Sequence, residues 1–297
     1  MSPTRKGLVH GVIAYGLWGI VAAYWKLLKT VDPVELIAHR AVWGLGAFAV
    51  LTLAAGQLPA LRVALRDRRT LAVMSLSATL LAVNWAIFVW ATISGHLLEA
   101  SLGYFINPLV SVALGTLVLR ERLRRLQWVA IGLAAAGVGV VALRGGQVPW
   151  ISLVLAATWG AYGLVRKTAK VDALVGSAVE TLILAPVAVV YLTALASRGG
   201  GSLGHAEATT VLLLIGTGIV TAVPLVFFTS AARVLPLSTV GFLQYLAPTG
   251  QFLLAVVAFG EPLAHDRLAA FGLIWVGLAA FSIDLWRQSR SGVTRTA

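Results

Sequence analysis

The chain contains no cysteine among its 297 residues, which excludes disulfide bonds and thiol redox chemistry. Charge is scarce as well, since Asp, Glu, Lys and Arg together make up 11% of the residues. An ordinary soluble domain carries about 25% charged residues. A soluble protein of this size would need far more charge on its surface, so this composition indicates that lipid surrounds most of the fold.

Motifs of several enzyme classes are also missing. The sequence has no G-x-x-x-x-G-K-[ST] loop, no His-rich cluster and no paired Asp motif. These absences argue against a membrane-embedded hydrolase or metalloenzyme and against an ATP-driven pump. We therefore predict that the protein is not an enzyme and uses no cofactor or metal.

Long apolar runs are the most prominent feature of the sequence. Hydrophobic residues make up 59% of the chain, the mean hydropathy is +0.90, and runs of about 20 residues, enough to cross about 30 Å of hydrocarbon, recur from end to end. They predict an all-α membrane protein of ten transmembrane helices whose first helix is no cleaved signal peptide. The predicted helices span residues 7–28, 34–56, 70–93, 97–119, 126–143, 148–166, 173–197, 209–233, 237–259 and 267–286.

The net charge of +12 would suggest a nucleic-acid partner in a soluble protein. Here the cations lie in short loops. With the N-terminus inside, 17 Lys and Arg fall on the inner side, 5 fall on the outer side, and Arg40 lies within a helix. Because Lys and Arg accumulate in cytoplasmic loops, both termini are predicted to be cytoplasmic. The predicted partners are the lipid bilayer and a small-molecule substrate, with no nucleic acid.

An internal repeat relates the two halves at an offset of about 140 residues. The matched pairs are Pro108 with Pro248, Glu121 with Glu261, Gly132 with Gly272, Gly137 with Gly277, Asp32 with Asp172 and, at 141 residues, Trp18 with Trp159. Each half, 1–145 and 146–297, holds five predicted helices, so the second half enters the membrane in the opposite orientation. Such inverted repeats are typical of secondary transporters.

Four segments carry a resemblance to a known family. They read AYGLWGIVAAYWKLLKTVDPVELIAHRAVWG, NWAIFVWA, EASLGYFINPLVSVALGTLVLRERL and GFLQYLAPTGQFLLAVVAFGEPL. They resemble the EamA-type transporters of the drug/metabolite transporter superfamily and, within them, the RarD-like group. The resemblance implies a bacterial inner-membrane protein that exports or exchanges amino acids, amphipathic metabolites or drugs, and the RarD name is linked with chloramphenicol.

Proline interruptions at matching positions indicate where a central binding site would lie. Pro108 and Pro248 each remove a backbone donor and free the carbonyl of Tyr104 or Gln244 one turn back. Polar and aromatic residues share helical faces with these prolines. The predicted substrate-binding residues are Trp18, Arg40, Asn84, Tyr104, Asn107, Gln244 and Gln251. The alternatives are that the prolines only kink helices and that the polar residues only tie helices together.

Ionisable residues within predicted spans form a second group of candidates. Arg40 lies about two turns inside the second helix, where it could bind a carboxylate or reach towards the surface. His39 follows Glu35 by four residues, so the two share a helix face and form either a proton-coupling site or a structural pair. Glu180 has no cation in its own span, which predicts either protonation or a partner on another helix.

Residues near helix ends and small residues in the last helix of each half have structural interpretations. Glu121 and Glu261 are predicted to cap the fifth and tenth helices, and Trp25 to lie in the interfacial aromatic belt. Small residues in the fifth and tenth helices permit close packing within the fold or in a homodimer.

The favoured function is a secondary active transporter that works by alternating access around a midplane site. The alternatives are a channel or lipid-moving protein and, less favoured, a membrane-embedded enzyme, while cargo, direction, coupling ion and oligomeric state stay open.

Overall fold

The regular structure of the chain is helical. A computed structural model describes residues 2–93, 97–143, 150–254, 257, 272–273, 275–284 and 287. In order, the helices are α1 (Pro3–Leu27), α2 (Pro33–Ala54), α3 (Leu58–Arg66), α4 (Arg68–Ile93), α5 (Leu97–Leu117), α6 (Arg125–Leu143), α7 (Trp150–Thr168), α8 (Ala173–Ser197), α9 (Ala208–Val234), α10 (Leu237–Leu243), α11 (Leu246–Leu253) and α12 (Trp275–Asp284).

Several of these helices suit a bilayer. Within the described ranges, five are long and apolar enough to cross a membrane, namely α1, α2, α4, α8 and α9. The first eight predicted helices are all present, with ends within four residues of the predicted ones. The tenth predicted helix, 267–286, and Glu261 fall partly or wholly outside the described residues. The chain is thus a multi-pass membrane protein whose helical segments were readable from hydropathy.

Aspartates set the start of three helices. Asp32 Oδ1 accepts hydrogen bonds from Val34 N at 2.9 Å and from Glu35 N at the start of α2, and Asp172 Oδ1 does the same for Leu174 N at the start of α8. Each carboxylate satisfies backbone N–H groups that lack a partner within the helix. Asp67 plays this part for α4, which begins at the next residue.

The predicted helix 237–259 is not continuous, which corrects the sequence-based boundary. It divides into α10 and α11, with Gln244 and Tyr245 between them. Pro248 has no N–H to donate, so the Gln244 carbonyl accepts a hydrogen bond from Ala247 N at 3.1 Å instead of completing an α-helical turn. Pro108, its counterpart in the repeat, lies within the continuous helix α5.

The Arg-rich stretch after α2 is also more ordered than the sequence suggested. Residues Leu58–Arg66 form the short helix α3, which buries Ala64 against Val175 and Val179 of α8 and leaves Arg62 and Arg66 exposed. This division of apolar and basic faces suits a helix that lies at a membrane surface.

Helices from the two halves interleave. The most extensive contacts join α5 with α7, α1 with α9, α2 with α8, and α2 with α9. At the centre, Trp18 of α1 packs edge-on against Trp159 of α7, with ring centroids 5.4 Å apart, and Phe228 of α9 lies against both. The core therefore joins the N-terminal and C-terminal halves rather than lying within either one.

Candidate substrate-binding site

Arg40 lies in α2 about two turns beyond the start of the helix. Its Nε donates a hydrogen bond to Thr221 Oγ1 of α9 at 3.2 Å. Its guanidinium carbon lies 4.7 Å from the Trp85 ring centroid and 5.0 Å from that of Trp25. In the described part of the chain, no carboxylate lies within 4.0 Å of this cation. The positive charge is held by aromatic faces and a hydroxyl, which attract it without neutralising it.

Two aromatic residues extend the surroundings of Arg40. Tyr104 of α5 lies close enough to Arg40 for an electrostatic interaction, and its ring packs edge-on against Phe88 of α4 at 5.9 Å. Tyr104 is nevertheless 39% exposed. We call this group the Arg40 cluster; its members are Trp25, Arg40, Trp85, Phe88, Tyr104 and Thr221.

The Arg40 cluster adds contacts to two residues that the sequence singled out. The ring of Trp25 lies against the Arg40 guanidinium, and its expected place in the interfacial belt stays a prediction. Arg40 was expected either to bind a ligand or to reach towards the surface, and its aromatic contacts hold it within the bundle. The sequence separates these members by up to 196 positions, so only the packing of α1, α2, α4, α5 and α9 brings them together.

Asn84, one residue before Trp85, is committed to a contact between helices. Its Nδ2 donates to the Leu155 carbonyl and to Thr158 Oγ1 of α7, both at 2.9 Å. This geometry matches the alternative in which a polar side chain ties two helices together. Asn84 thus positions α4 against α7 beside the Arg40 cluster.

A second polar group surrounds the break between α10 and α11. Gln244 Nε2 donates to Ser111 Oγ of α5 at 2.8 Å, and Gln251 Nε2 donates to the Trp18 carbonyl at 3.2 Å. Asn107, one turn before Ser111, is 6% exposed, and its Oδ1 has no hydrogen-bond partner among the described residues. An unpaired buried amide oxygen is costly, which marks this position as one where a further donor would be accepted.

The two prolines lie beside this polar group. Gly241 of α10 packs so closely against α5 that a Cβ atom there would lie 2.8 Å from the Pro108 carbonyl oxygen. Tyr245 completes the contact, since its hydroxyl donates to the Phe105 carbonyl at 3.3 Å. The proline-bearing segments of the two halves therefore meet, and a central binding site beside them stays a prediction.

His39 and Glu35 form the predicted pair on α2. His39 Nε2 lies 3.5 Å from Glu35 Oε1, and both residues are buried. The same carboxylate oxygen accepts a hydrogen bond from Ser202 N at 2.5 Å, which attaches the loop after α8. That loop and Thr30 line a cavity of about 530 Å³. The pairing is confirmed, and a role in proton coupling stays a prediction.

Glu180 has the inter-helix partner that the sequence left open. Arg166 Nη1 of α7 lies 3.4 Å from Glu180 Oε1, which also accepts a hydrogen bond from Ser77 Oγ of α4 at 2.5 Å. The Tyr162 hydroxyl approaches the other carboxylate oxygen at 3.4 Å. Arg166 had been counted among the inner loop cations, but it is fully buried in the last turn of α7.

Glu121 caps a helix, although not the predicted one. Its carboxylate accepts hydrogen bonds from Leu237 N at 2.6 Å, Ser238 N at 3.0 Å and Ser238 Oγ at 2.7 Å, all at the start of α10. The following helix, α6, uses Gln127 instead, whose Oε1 accepts from Arg124 N. The fold places α10 closer to Glu121 than sequence order suggests, so one half caps a helix of the other.

A further cavity contains none of the predicted site residues. It measures about 280 Å³ and lies between α1 and α9. Its walls are apolar and include Leu17, Ile20, Val220 and Pro224. The candidate site is therefore the polar region that joins the Arg40 cluster to the α10–α11 break, not this apolar groove.

A bundle of apolar helices that holds a cation and polar side chains in its interior indicates a functional site within a membrane protein. Comparison with known proteins gives the class. Residues 5–143 match the EamA-like transporter family. The chain is 45% identical to Protein RarD of Streptomyces exfoliatus over 98% of this chain and 92% of that protein. It is 47% identical to an uncharacterized transporter of Pseudomonas aeruginosa over 96% of each chain.

The chain belongs to the EamA-like transporter family and is a RarD-like member of it. A solved crystal structure of a protein 20% identical in sequence superimposes with a TM-score of 0.74, covering 94% of this chain and 98% of the other, which shows that the fold is shared. The protein is accordingly a membrane transporter rather than a member of an enzyme family.

Proposed function

We propose that the protein is a secondary active transporter that exports or exchanges small metabolites such as amino acids, or amphipathic drugs, across the bacterial inner membrane. Its two inverted five-helix repeats, 1–145 and 146–297, would alternate access to a site near the midplane, with both termini in the cytoplasm. The observation that carries this proposal is the break between α10 and α11 at Gln244, where polar groups of both halves meet. Broken helices at the repeat interface are where such transporters bind cargo.

The pattern of helix contacts supports the inverted repeat. If α1, α2, α4 and α5 correspond to α7, α8, α9 and α10–α11, each contact should recur with its partners exchanged. The contact of α5 with α7 recurs as α11 with α1, that of α1 with α9 as α7 with α4, and that of α2 with α9 as α8 with α4. Repeat-related residues also meet directly, as Trp18 meets Trp159 and Tyr245 meets Phe105.

The absence of cysteine makes the proposed topology directly testable. Arg69→Cys and Arg198→Cys place single thiols at two exposed positions, one in the first turn of α4 and one directly after α8. A membrane-impermeant maleimide should label Arg198→Cys in intact cells and Arg69→Cys only after the membrane is permeabilised. Labelling of both positions from one side would contradict the inverted arrangement.

Transport itself is tested in proteoliposomes. Vesicles loaded with an unlabelled panel of amino acids, amphipathic metabolites and drugs are assayed for saturable exchange, with and without pH and sodium gradients. We expect one chemical class to exchange and Gln244→Leu to slow it, with Arg198→Gln as the matched surface control. Conductive flux that does not saturate would favour a channel instead, and movement of labelled phospholipid alone would favour a lipid-moving protein.

A further inference from the structure

Arg40 presents an open, unneutralised cation inside the bundle. Its Nε donates a hydrogen bond to Thr221 Oγ1, but neither terminal nitrogen has a hydrogen-bond partner within the described residues. Both nitrogens retain accessible surface, since neither is among the buried unpaired atoms. Arg166, by contrast, has both terminal nitrogens occupied by protein atoms. The outer edge of the Arg40 guanidinium is therefore available to a ligand.

The shape of this free edge selects a type of ligand. Two terminal nitrogens of a planar guanidinium form a fork that matches the two oxygens of a carboxylate. The Trp25 and Trp85 faces keep the guanidinium from turning away, and the Thr221 hydroxyl fixes its Nε. The fork is therefore oriented before any ligand arrives, which reduces the entropy lost on binding.

The charge around the fork limits the ligand further. Arg40 supplies one positive charge, and the other members of the Arg40 cluster are aromatic rings and a threonine. A carboxylate monoanion would be neutralised one for one, whereas a phosphate dianion would keep an unpaired charge in an apolar surrounding. The rings of Phe88 and Tyr104 offer an apolar wall beside the fork, with Tyr104 partly exposed.

We propose that the Arg40 cluster binds the carboxylate of a monoanionic substrate whose aromatic or aliphatic body packs on Phe88 and Tyr104. This inference rests on the proposed transport function and names the substrate class for it. Arg40 holds the charged group, Trp25 and Trp85 orient Arg40, and the partly exposed Tyr104 contributes ring surface. Neutral and cationic amphiphiles lack the group that the fork recognises.

The test uses matched acid and amide pairs. Purified full-length protein in detergent is titrated with arylalkyl and alkyl carboxylates of two to ten carbons, each beside its neutral amide, with binding followed by calorimetry and thermal shift. We expect at least one acid to bind about 10- to 100-fold more tightly than its amide, the range for hydrogen bonds to a charged group. Arg40→Gln should remove this preference, whereas the matched surface change Arg198→Gln should leave it intact.

Several outcomes would overturn the proposal. Equal affinity for acid and amide, no binding by any acid, or an unchanged preference in Arg40→Gln would each do so. Tighter binding of phenyl phosphate than of phenylpropionate would assign the fork to phosphate. Thr221→Val gives a second check, because it keeps the charge and frees Nε, and it should weaken acid binding less than Arg40→Gln.

Failure of this inference and failure of the transport proposal give different results. If vesicles exchange a neutral or cationic cargo equally well in the parent protein and Arg40→Gln, transport stands and the carboxylate assignment falls. If an acid binds through Arg40 but no solute exchanges under any gradient, the carboxylate site stands and the transport proposal falls.

Discussion

Two arginines in the interior of this protein have opposite surroundings. Arg166 is fully buried, lies 3.4 Å from the Glu180 carboxylate and donates to the Ala173 carbonyl at 2.9 Å. Arg40 contacts two tryptophan rings and one hydroxyl, and its terminal nitrogens stay open. The first cation is neutralised within the protein, whereas the second is only oriented by it.

This difference separates a structural charge from a candidate binding charge. A buried ion pair whose terminal nitrogens already donate to protein atoms has little capacity left for a ligand, and loss of one partner strands a charge. A cation that the protein orients without neutralising has interaction capacity left, which a ligand could use. Burial of an ionisable group in a membrane helix therefore indicates function only after its partners are known.

The largest expected effect is the loss of the buried pair. Arg166→Gln should lower the free energy of unfolding by about 3–5 kcal/mol, because Glu180 is left without its cation in an apolar surrounding. Replacing both residues with methionine should restore most of that stability. Thermal unfolding in detergent measures both variants, and a single variant as stable as the parent would show that the pair does not hold α7 to α8.

The second prediction concerns Arg40, whose replacement should affect transport more than stability. Arg40→Gln strands no carboxylate, so it should cost less than about 2 kcal/mol, the range of the cation–π contacts that it loses. Substrate exchange should fall much more than stability does. Thermal unfolding measures the stability of Arg40→Gln, and vesicle exchange measures its transport. Arg166→Gln serves as the comparison, because its main effect should be on stability. A strongly destabilised Arg40→Gln protein would make Arg40 structural and remove the contrast.

A third, smaller effect is expected at Glu121, whose charge is stabilised by backbone donors at the start of α10. Glu121→Gln keeps the size of the side chain but weakens a charged helix cap, at a cost of about 0.5–2 kcal/mol. The loss should appear as a lower melting temperature and as faster hydrogen exchange confined to α10. Exchange that rises in α6 instead would support the capping role originally predicted for Glu121.

The smallest effect is expected at Asp67, an exposed charge outside the membrane-spanning helices. Hydrogen bonds from the Thr70 hydroxyl and backbone N–H lower the pKa of Asp67, since they favour its ionised form. Its stabilising contribution is present above the unfolded-state pKa of about 3.9 and is lost as the pH falls through the lower folded-state pKa.

Asp67→Asn tests this linkage. The variant should melt slightly below the parent protein at pH 7, and the difference should shrink as the pH is lowered below about 4. A difference that does not change with pH would indicate a packing effect rather than a charge effect. The small effect expected at Asp67 contrasts with the large effect expected at the buried Arg166–Glu180 pair, because an exposed charge contributes little stability whether or not it is paired.

Hydropathy and charge predicted the larger part of the fold. Apolar length located the first eight predicted helices. This signal is local, since a membrane span needs about 20 apolar residues. The segment 237–259 was predicted as one continuous helix because hydropathy does not register the missing backbone donor of Pro248 within an otherwise apolar run.

The candidate site was only partly predictable. Arg40, Tyr104 and Gln244 were identified because polar groups in hydrocarbon are costly and therefore informative. Their partners could not be assigned, since a helix presents several faces and sequence spacing does not say which neighbour each one meets. The importance of Arg166 was missed because a cation close to a helix end has the same sequence pattern whether it points to water or into the bundle.

By itself, then, the sequence determined that this is a helical membrane protein with an internal repeat and a few costly polar groups, because transfer into lipid penalises each residue independently of its neighbours. Tertiary structure alone decided that Arg166 meets Glu180, that Glu121 caps α10 and that Arg40 lies between Trp25 and Trp85. The physical reason is that pairing energies depend on distances between helices far apart in the chain, and those distances are set only when the helices pack.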